Sequence, residues 1–266
     1  MATYTGTADG SGNFNIGFGG NNYTSAQKVT VTATKSGNSK TVELFAPADT
    51  SGGGVIQFSG NLTNFPDNVG GVTVTGISGP IKTEAFAAYY NGHIWKKATS
   101  LTIGSGVTTI GATAFSAWSA ATSLTIPNSV TTISDYAFNS WSAMTTLSLG
   151  TGLTTIGPSA FQNCTALTSI TIPNSVTTIG LQAFYSCNAA TSIQIGSGVT
   201  SIGGSAFYNA TACNELRCLP TTPPSILVNT FTNLKSTCVI KVPAASLTAY
   251  QTAANWSALA SKMVGV

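Results

Sequence analysis

An Ala-Phe pair returns along most of this chain at a fixed distance, with Phe at positions 86, 115, 138, 161, 184 and 207. The first interval is 29 residues and every later one is 23, until a degenerate seventh unit places Phe231 at 24. Self-similarity at a period of 20–50 residues is the mark of stacked repeat architectures, in which no single unit buries its own apolar face. Other columns keep step. One runs Val72, Leu101, Leu124, Leu147, Ile170, Ile193, Leu216, and two residues later comes Val74, Ile103, Ile126, Leu149, Ile172, Ile195, Cys218. A third runs Ile81, Ile110, Ile133, Ile156, Ile179, Ile202.

The two-residue offset of the first two columns is strand periodicity, which puts both apolar side chains on one face. Ser100, Thr102, Ser123, Thr125, Thr146, Ser148, Ser169 and Thr171 then point to the other side. Stacked about 4.8 Å apart, such strands make a parallel sheet with an apolar inside and a hydroxyl-bearing, concave outside. After the strand, Gly104, Gly150 and Gly196 alternate with Pro127 and Pro173, residues that end a strand and set a corner. The fold class expected is a right-handed, mostly β solenoid of leucine-rich-repeat type. It would have about seven 23-residue coils, parallel strands, a small β module in front and a short helix behind.

The unit Leu-Thr-x-Ile-x-Ile-Pro-x-Ser-Val-Thr-x-Ile-Gly-x-x-Ala-Phe-x-x-Cys, clearest from Leu167 to Cys187, resembles the BspA-type leucine-rich repeat of bacterial and protist surface proteins. The likeness covers roughly residues 70–260. It implies adhesion or receptor contact through the solenoid surface. It also implies a closing strand at Val239–Val242 and a helix after Pro243 that faces the last coil with Leu247, Tyr250 and Trp256.

Three segments are expected: an N-terminal β attachment module over 1–48, the solenoid over 55–243, and a capping helix over 244–266. Alternation in Asn13–Phe18, Lys28–Thr34 and Thr41–Phe45 predicts three short strands in the first, which resembles small β modules that begin some phage tail-fibre and adhesin proteins. The opening residues show neither a basic nor an apolar stretch of secretion-signal type, which points toward a virion fibre or surface assembly rather than conventional export.

Composition narrows the chemistry. Charged residues make up 6 % of the chain against about 25 % in typical soluble domains, and between Ala98 and Asn214 the single charge is Asp135. Nucleic acid is not an expected partner, because no Lys/Arg cluster is present to meet phosphates. No apolar run is long enough for membrane insertion. His93 is the one histidine and the acids are scattered, so neither a hydrolase triad nor a carboxylate pair is visible and no enzymatic role is expected. No cofactor or metal is expected either. Cys164 and Cys187 share a column with Trp118 and Trp141 and read as buried filler, while Cys213, Cys218 and Cys238 leave one disulfide open among them.

Six extra residues within Ala87–Ser100 account for the long first interval. They bring together Tyr89, Tyr90, His93, Trp95, Lys96 and Lys97, where aromatic rings and positive charge meet. Insertions in repeat arrays gather on one face, often the binding face, and the same residues could instead cover the open end of the solenoid. The functional expectation is a non-catalytic protein that presents the hydroxyl ladder and this insertion to a cell-surface glycan or protein. The N-terminal module would join it to other fibre or surface-assembly proteins. A structural spacer in a fibre and an ice-binding face are the alternatives.

Overall fold

The protein is described by a computed structural model covering residues 94–266 throughout, together with the strands Thr3–Thr5, Phe14–Gly17, Lys28–Lys35, Asn38–Phe45, Val55–Phe58, Gly71–Thr75 and Gly79–Ile81. It is a parallel β solenoid of about seven coils. The columns read from the sequence are its registers. Val72, Leu101, Leu124 and Leu147 pair in one parallel sheet, and Ile170, Ile193, Leu216 and Ile240 in the next. On a second side of each coil, Ile81, Ile110, Ile133, Ile156, Ile179 and Ile202 pair in the same way.

The third side carries the Ala-Phe pairs, and its bonds between coils all run one way. Thr113, Phe115 and Ala117 donate their N–H groups to the carbonyls of Asp135, Ala137 and Asn139 in the following coil at 2.8–2.9 Å. On the strand sides the N–H groups run both ways: Thr131 and Thr154 donate to Thr108 and Thr131 in the preceding coil at 2.9 Å, whereas Ile126 and Ile172 donate to Ser148 and Gln194 in the following coil at 2.8 and 2.9 Å. In each coil from Phe115 to Phe207 two residues enter the left-handed region to make this possible, for example Ser159 (φ 52°) and Asn163 (φ 61°) around Phe161, while the coil of Phe231 has Asn233 alone. Small polar residues occupy most of these positions, consistent with the tolerance of that region.

Between them the phenylalanines form one buried column. Phe115, Phe138, Phe161, Phe184, Phe207 and Phe231 stack at 5.2–5.5 Å with rings within 11° of parallel. Trp118 and Trp141 lie stacked beside them at 5.7 Å, each edge-on to its own phenylalanine and both without solvent exposure.

The Gly/Pro alternation has a steric cause. A Cβ on Gly150 would fall 2.4 Å from the Pro127 carbonyl oxygen, and one on Gly196 would fall 2.2 Å from that of Pro173. A proline corner therefore requires a glycine in the coil stacked after it. Asn128 and Asn174, next to those prolines, accept the N–H of Thr151 and Ser197 at 2.9 Å, so two coils form one 46-residue unit at this corner.

Both ends depart from the repeat. Val55–Phe58 pairs antiparallel with Gly71–Thr75 and is itself paired antiparallel by Phe14–Gly17. Backbone pairing thus runs across the boundary expected between module and solenoid and occupies the edge of the first coil strand, which would otherwise be open to association. The expected N-terminal strands are present as Phe14–Gly17, Lys28–Lys35 and Asn38–Phe45, with Thr3–Thr5 added in parallel to the second. At the other end, Pro243 opens a 3-10 turn (Ala244–Ser246), the helix Leu247–Thr252 and a second 3-10 segment (Ser257–Lys262). The tail is more than a helix, because Met263–Gly265 returns as a strand parallel to Val239–Val242. Tyr250 and Trp256 are fully buried, and Leu247 packs half-buried against the core.

Candidate binding face

The first strand side carries the hydroxyl ladder in the expected orientation. Thr102, Ser123, Thr125, Thr146, Ser148, Ser169 and Thr171 are exposed, and Ser100 is half-buried at the ladder's first described rung. Their side chains make no hydrogen bond among the described residues. The threonines one residue earlier behave differently. Thr145, Thr168 and Thr191 each donate Oγ1 to the carbonyl of the equivalent threonine in the preceding coil, at 3.1–3.2 Å. On the second strand side Thr154, Thr177 and Thr200 do the same at 2.9–3.2 Å. Among the described residues of these strand sides, the hydroxyls thus divide into a set that knits coils together and a set that faces outward without a hydrogen bond.

The outward set ends in charge. Register places Thr171, Gln194, Arg217 and Lys241 in one outward row, and Ser169, Ser192 and Glu215 in the row beside it. Lys241 is engaged by Glu215 at 2.6 Å, whereas Arg217 is exposed and has no acid partner among the described residues. Column arithmetic contained this signal, since Arg217 lies 23 residues beyond Gln194. A shallow groove of about 240 Å³ opens further round the coil between Ser197–Thr200 and Pro220–Pro223.

Of the insertion, Tyr89, Tyr90 and His93 lie outside the described residues, as does Phe86 of the repeat column. Trp95, Lys96 and Lys97 fall in the 3-10 turn Ile94–Lys97, immediately before the strand that bears Ser100 and Thr102. Lys96 is half-buried and Lys97 exposed. In the chain direction, the insertion therefore feeds directly into the first rung of the ladder.

The buried column beside the phenylalanines is more than filler. Trp141 Nε1 donates to the Phe115 carbonyl at 2.6 Å, and the thiols of Cys164 and Cys187 lie 3.6 and 3.5 Å from the Phe138 and Phe161 carbonyls. Tryptophan and cysteine share the position because both are apolar bodies with one donor. Burial pushes the Cys164 thiol up to about 12 and the Cys187 thiol well above the usual range, so both stay protonated and able to donate. Among the described residues, no group of three or more His, Cys, Asp or Glu side chains converges as a metal site would require, and no helix is long and apolar enough to cross a membrane.

The family model for the BspA type leucine rich repeat region matches in 6 copies, over residues 87–214 and 154–255, which together exceed half of the chain. The chain belongs to the BspA-type leucine-rich-repeat family. Among solved structures, it is similar to a leucine-rich repeat protein from Bacteroides ovatus at 21 % identity and a TM-score of 0.49, over 66 % of this chain and 52 % of that one. A leucine-rich repeat protein from Eubacterium ventriosum shares 14 % identity at a TM-score of 0.49, over 71 % of this chain and 64 % of its own. A leucine rich cell surface protein from Faecalibacterium prausnitzii shares 20 % at a TM-score of 0.41, over 71 % and 69 %. This BspA-type chain thus spans about half the length of the first of them and under two thirds of the second. No curated protein matches it.

Proposed function

We propose that this protein is a non-catalytic binding protein that acts at a cell surface or on an extracellular fibre and grips a glycan or protein receptor with its ladder face. One observation carries the reading: among the described residues the side chains of the exposed Ser and Thr rows make no hydrogen bond, while the threonines beside them are used to join coils. Free hydroxyls in rows about 4.8 Å apart offer many weak contacts to a polymer with a regular hydroxyl or amide spacing. The family and the cell-surface description of the Faecalibacterium prausnitzii neighbour support the setting. A place in a phage tail fibre, with the N-terminal strands attaching to other assembly proteins, belongs to the same reading.

Affinity in such a face concentrates in a few aromatic or cationic anchors, surrounded by near-neutral contacts. The reading gives the ladder two anchors: the aromatic and basic insertion (Tyr89, Tyr90, His93, Trp95, Lys96, Lys97), which precedes its Ser100 rung in the chain, and Arg217 near its far end. The near-neutral coils between them give little long-range steering, so binding should depend weakly on salt except through Lys96, Lys97 and Arg217.

The test is binding to intact bacterial cells and a glycan array by three full-length forms. The native chain should bind. Tyr90→Ala with Trp95→Ala, and separately Arg217→Ala, should each weaken binding while the thermal midpoint stays within a degree or two. A loss of binding that only follows a loss of stability would overturn the anchor assignment. Absence of binding to every surface would leave the spacer role, and thermal hysteresis would identify an ice-binding face.

A further inference from the structure

The last coil holds three of the five cysteines, and two of them touch. Cys213 Sγ and Cys238 Sγ lie 3.7 Å apart, both buried. Their sulfurs also lie 3.2 and 3.7 Å from the Glu215 and Val239 carbonyls, whereas those of Cys164 and Cys187, one coil apart in the middle of the solenoid, meet backbone carbonyls alone. Cys218, on the strand Glu215–Cys218, is fully buried and near enough to feel the charge of Cys238, but its sulfur makes no hydrogen bond to either among the described residues. The backbone sets the pair. Val239 N–H donates to the Asn214 carbonyl at 3.0 Å, so Cys213 and Cys238 precede two residues already bonded across adjacent strands.

We propose that Cys213 and Cys238 form a disulfide under oxidising conditions, which locks the last coil and its tail onto the solenoid. The segment that such a bond closes is the irregular one. It contains Pro220, Pro223 and Pro224, the exposed Leu227 and Val228, and the extra residue that stretches the Phe207-to-Phe231 interval to 24. A modest side-chain rotation closes the contact to a bond of about 2.05 Å. Hydrogen bonding between the sulfurs holds Cys238 below the usual thiol range and pushes Cys213 up, which makes Cys238 the first nucleophile. Its thiolate attacks a small-molecule disulfide such as oxidised glutathione, forming a mixed disulfide and releasing one thiolate. Cys213 passes its proton to that leaving group and attacks Cys238 Sγ, and the second thiol departs. Two protein thiols are oxidised and one glutathione disulfide is reduced to two thiols. Because both sulfurs are buried, exchange proceeds through opening of the terminal coil or before that coil closes.

The experiment equilibrates the full chain in mixed oxidised and reduced glutathione, with and without mild urea, and maps alkylated peptides without reduction. The expected result is a peptide joining Cys213 to Cys238, an intact mass lower by two hydrogens, and three of the five thiols still reactive after unfolding. Protease cleavage within Thr221–Lys235 should slow by roughly tenfold or more on oxidation. Cys218→Ser should keep the cross-link, and Cys213→Ser should abolish it. A bond from Cys218 to either partner, or five thiols that stay free even in urea, would overturn the proposal. Neither outcome bears on the ladder face.

Discussion

The central coils and the C-terminal end meet the same physical demand in opposite ways. In the middle, each coil stacks on a near copy of itself, so one residue type repeated every 23 positions satisfies the backbone of its neighbour. Trp141, Cys164 and Cys187 cover the carbonyls of Phe115, Phe138 and Phe161 in this manner. At the end there is no next copy, and the carbonyls of Pro220, Pro224 and Ile226 are met from the tail by Tyr250 Oη at 2.9 Å and by Trp256 Nε1 and Asn255 Nδ2 at 2.7 Å. Charge follows the same division. Asp135 is the one charged residue between Ala98 and Asn214, whereas Glu215, Arg217, Lys235, Lys241 and Lys262 crowd the end. Repetition stabilises the middle cheaply, and the end needs individually placed groups.

The comparison predicts unequal responses to the same core deletion. Phe161→Ala removes a ring stacked on both faces between fixed neighbours, at 5.4 Å from Phe138 and 5.2 Å from Phe184, and should cost about 3–5 kcal/mol in urea unfolding. Phe231→Ala removes a ring held by Phe207 on one side and a tilted Trp256 on the other. A terminal coil can fray without unfolding the rest, so its shift in the global midpoint should be half as large or less. Equal shifts would mean the solenoid melts as one unit, and the division between middle and end would fail.

The fold was legible because its period writes the same information many times. The Leu/Ile columns predicted the registers residue for residue, and the two-residue offset predicted which hydroxyls face out. Other features were hidden for physical reasons. Thr145 and Thr146 are both exposed hydroxyl residues, and only the direction of the backbone tells that one bonds the neighbouring coil and the other does not. The alternation of Gly150 with Pro127 was visible, yet its cause is a close approach between coils that no single coil displays. The strand Met263–Gly265 has no repeat partner, and three residues carry too little alternation to announce it. Arg217 was overlooked as a face residue because the last coil is degenerate, although its column position was intact.

A smaller effect tests the donors. Trp256→Phe keeps the ring against Phe231 and Tyr250 but removes the hydrogen bond to the Pro224 carbonyl. Leaving that buried acceptor unmet should cost about 1–3 kcal/mol. Hydrogen exchange should report the loss in residues 220–266 first, with protection in the coils from Val107 to Ile202 unchanged. Cys164→Ala removes a weaker thiol contact in the middle and should cost about 1–2 kcal/mol, spread over the neighbouring coils rather than confined to one end. Loss of central protection in the Trp256 variant would contradict the local character assigned to the tail.

The smallest effect separates the two hydroxyl sets, and here stability and binding should move in opposite directions. Thr145→Val deletes a hydroxyl that donates to the Thr122 carbonyl at 3.2 Å, so it should lower stability by about 0.5–1 kcal/mol. Thr146→Val, one residue later on the same coil, deletes a hydroxyl with no partner among the described residues and should leave stability near its starting value. Valine is isosteric with threonine and favours strands at least as well, so neither change adds a propensity penalty that would blur the comparison. Receptor binding should respond the other way round. Thr146 lies in the free rows that face outward and should weaken binding when changed, more clearly still when Ser123 and Ser169 of its row are changed with it. Thr145 should leave binding intact. If Thr145→Val weakens binding as much as Thr146→Val does, the ligand reads the whole strand side and the division of hydroxyls into coil-joining and ligand-facing sets is wrong.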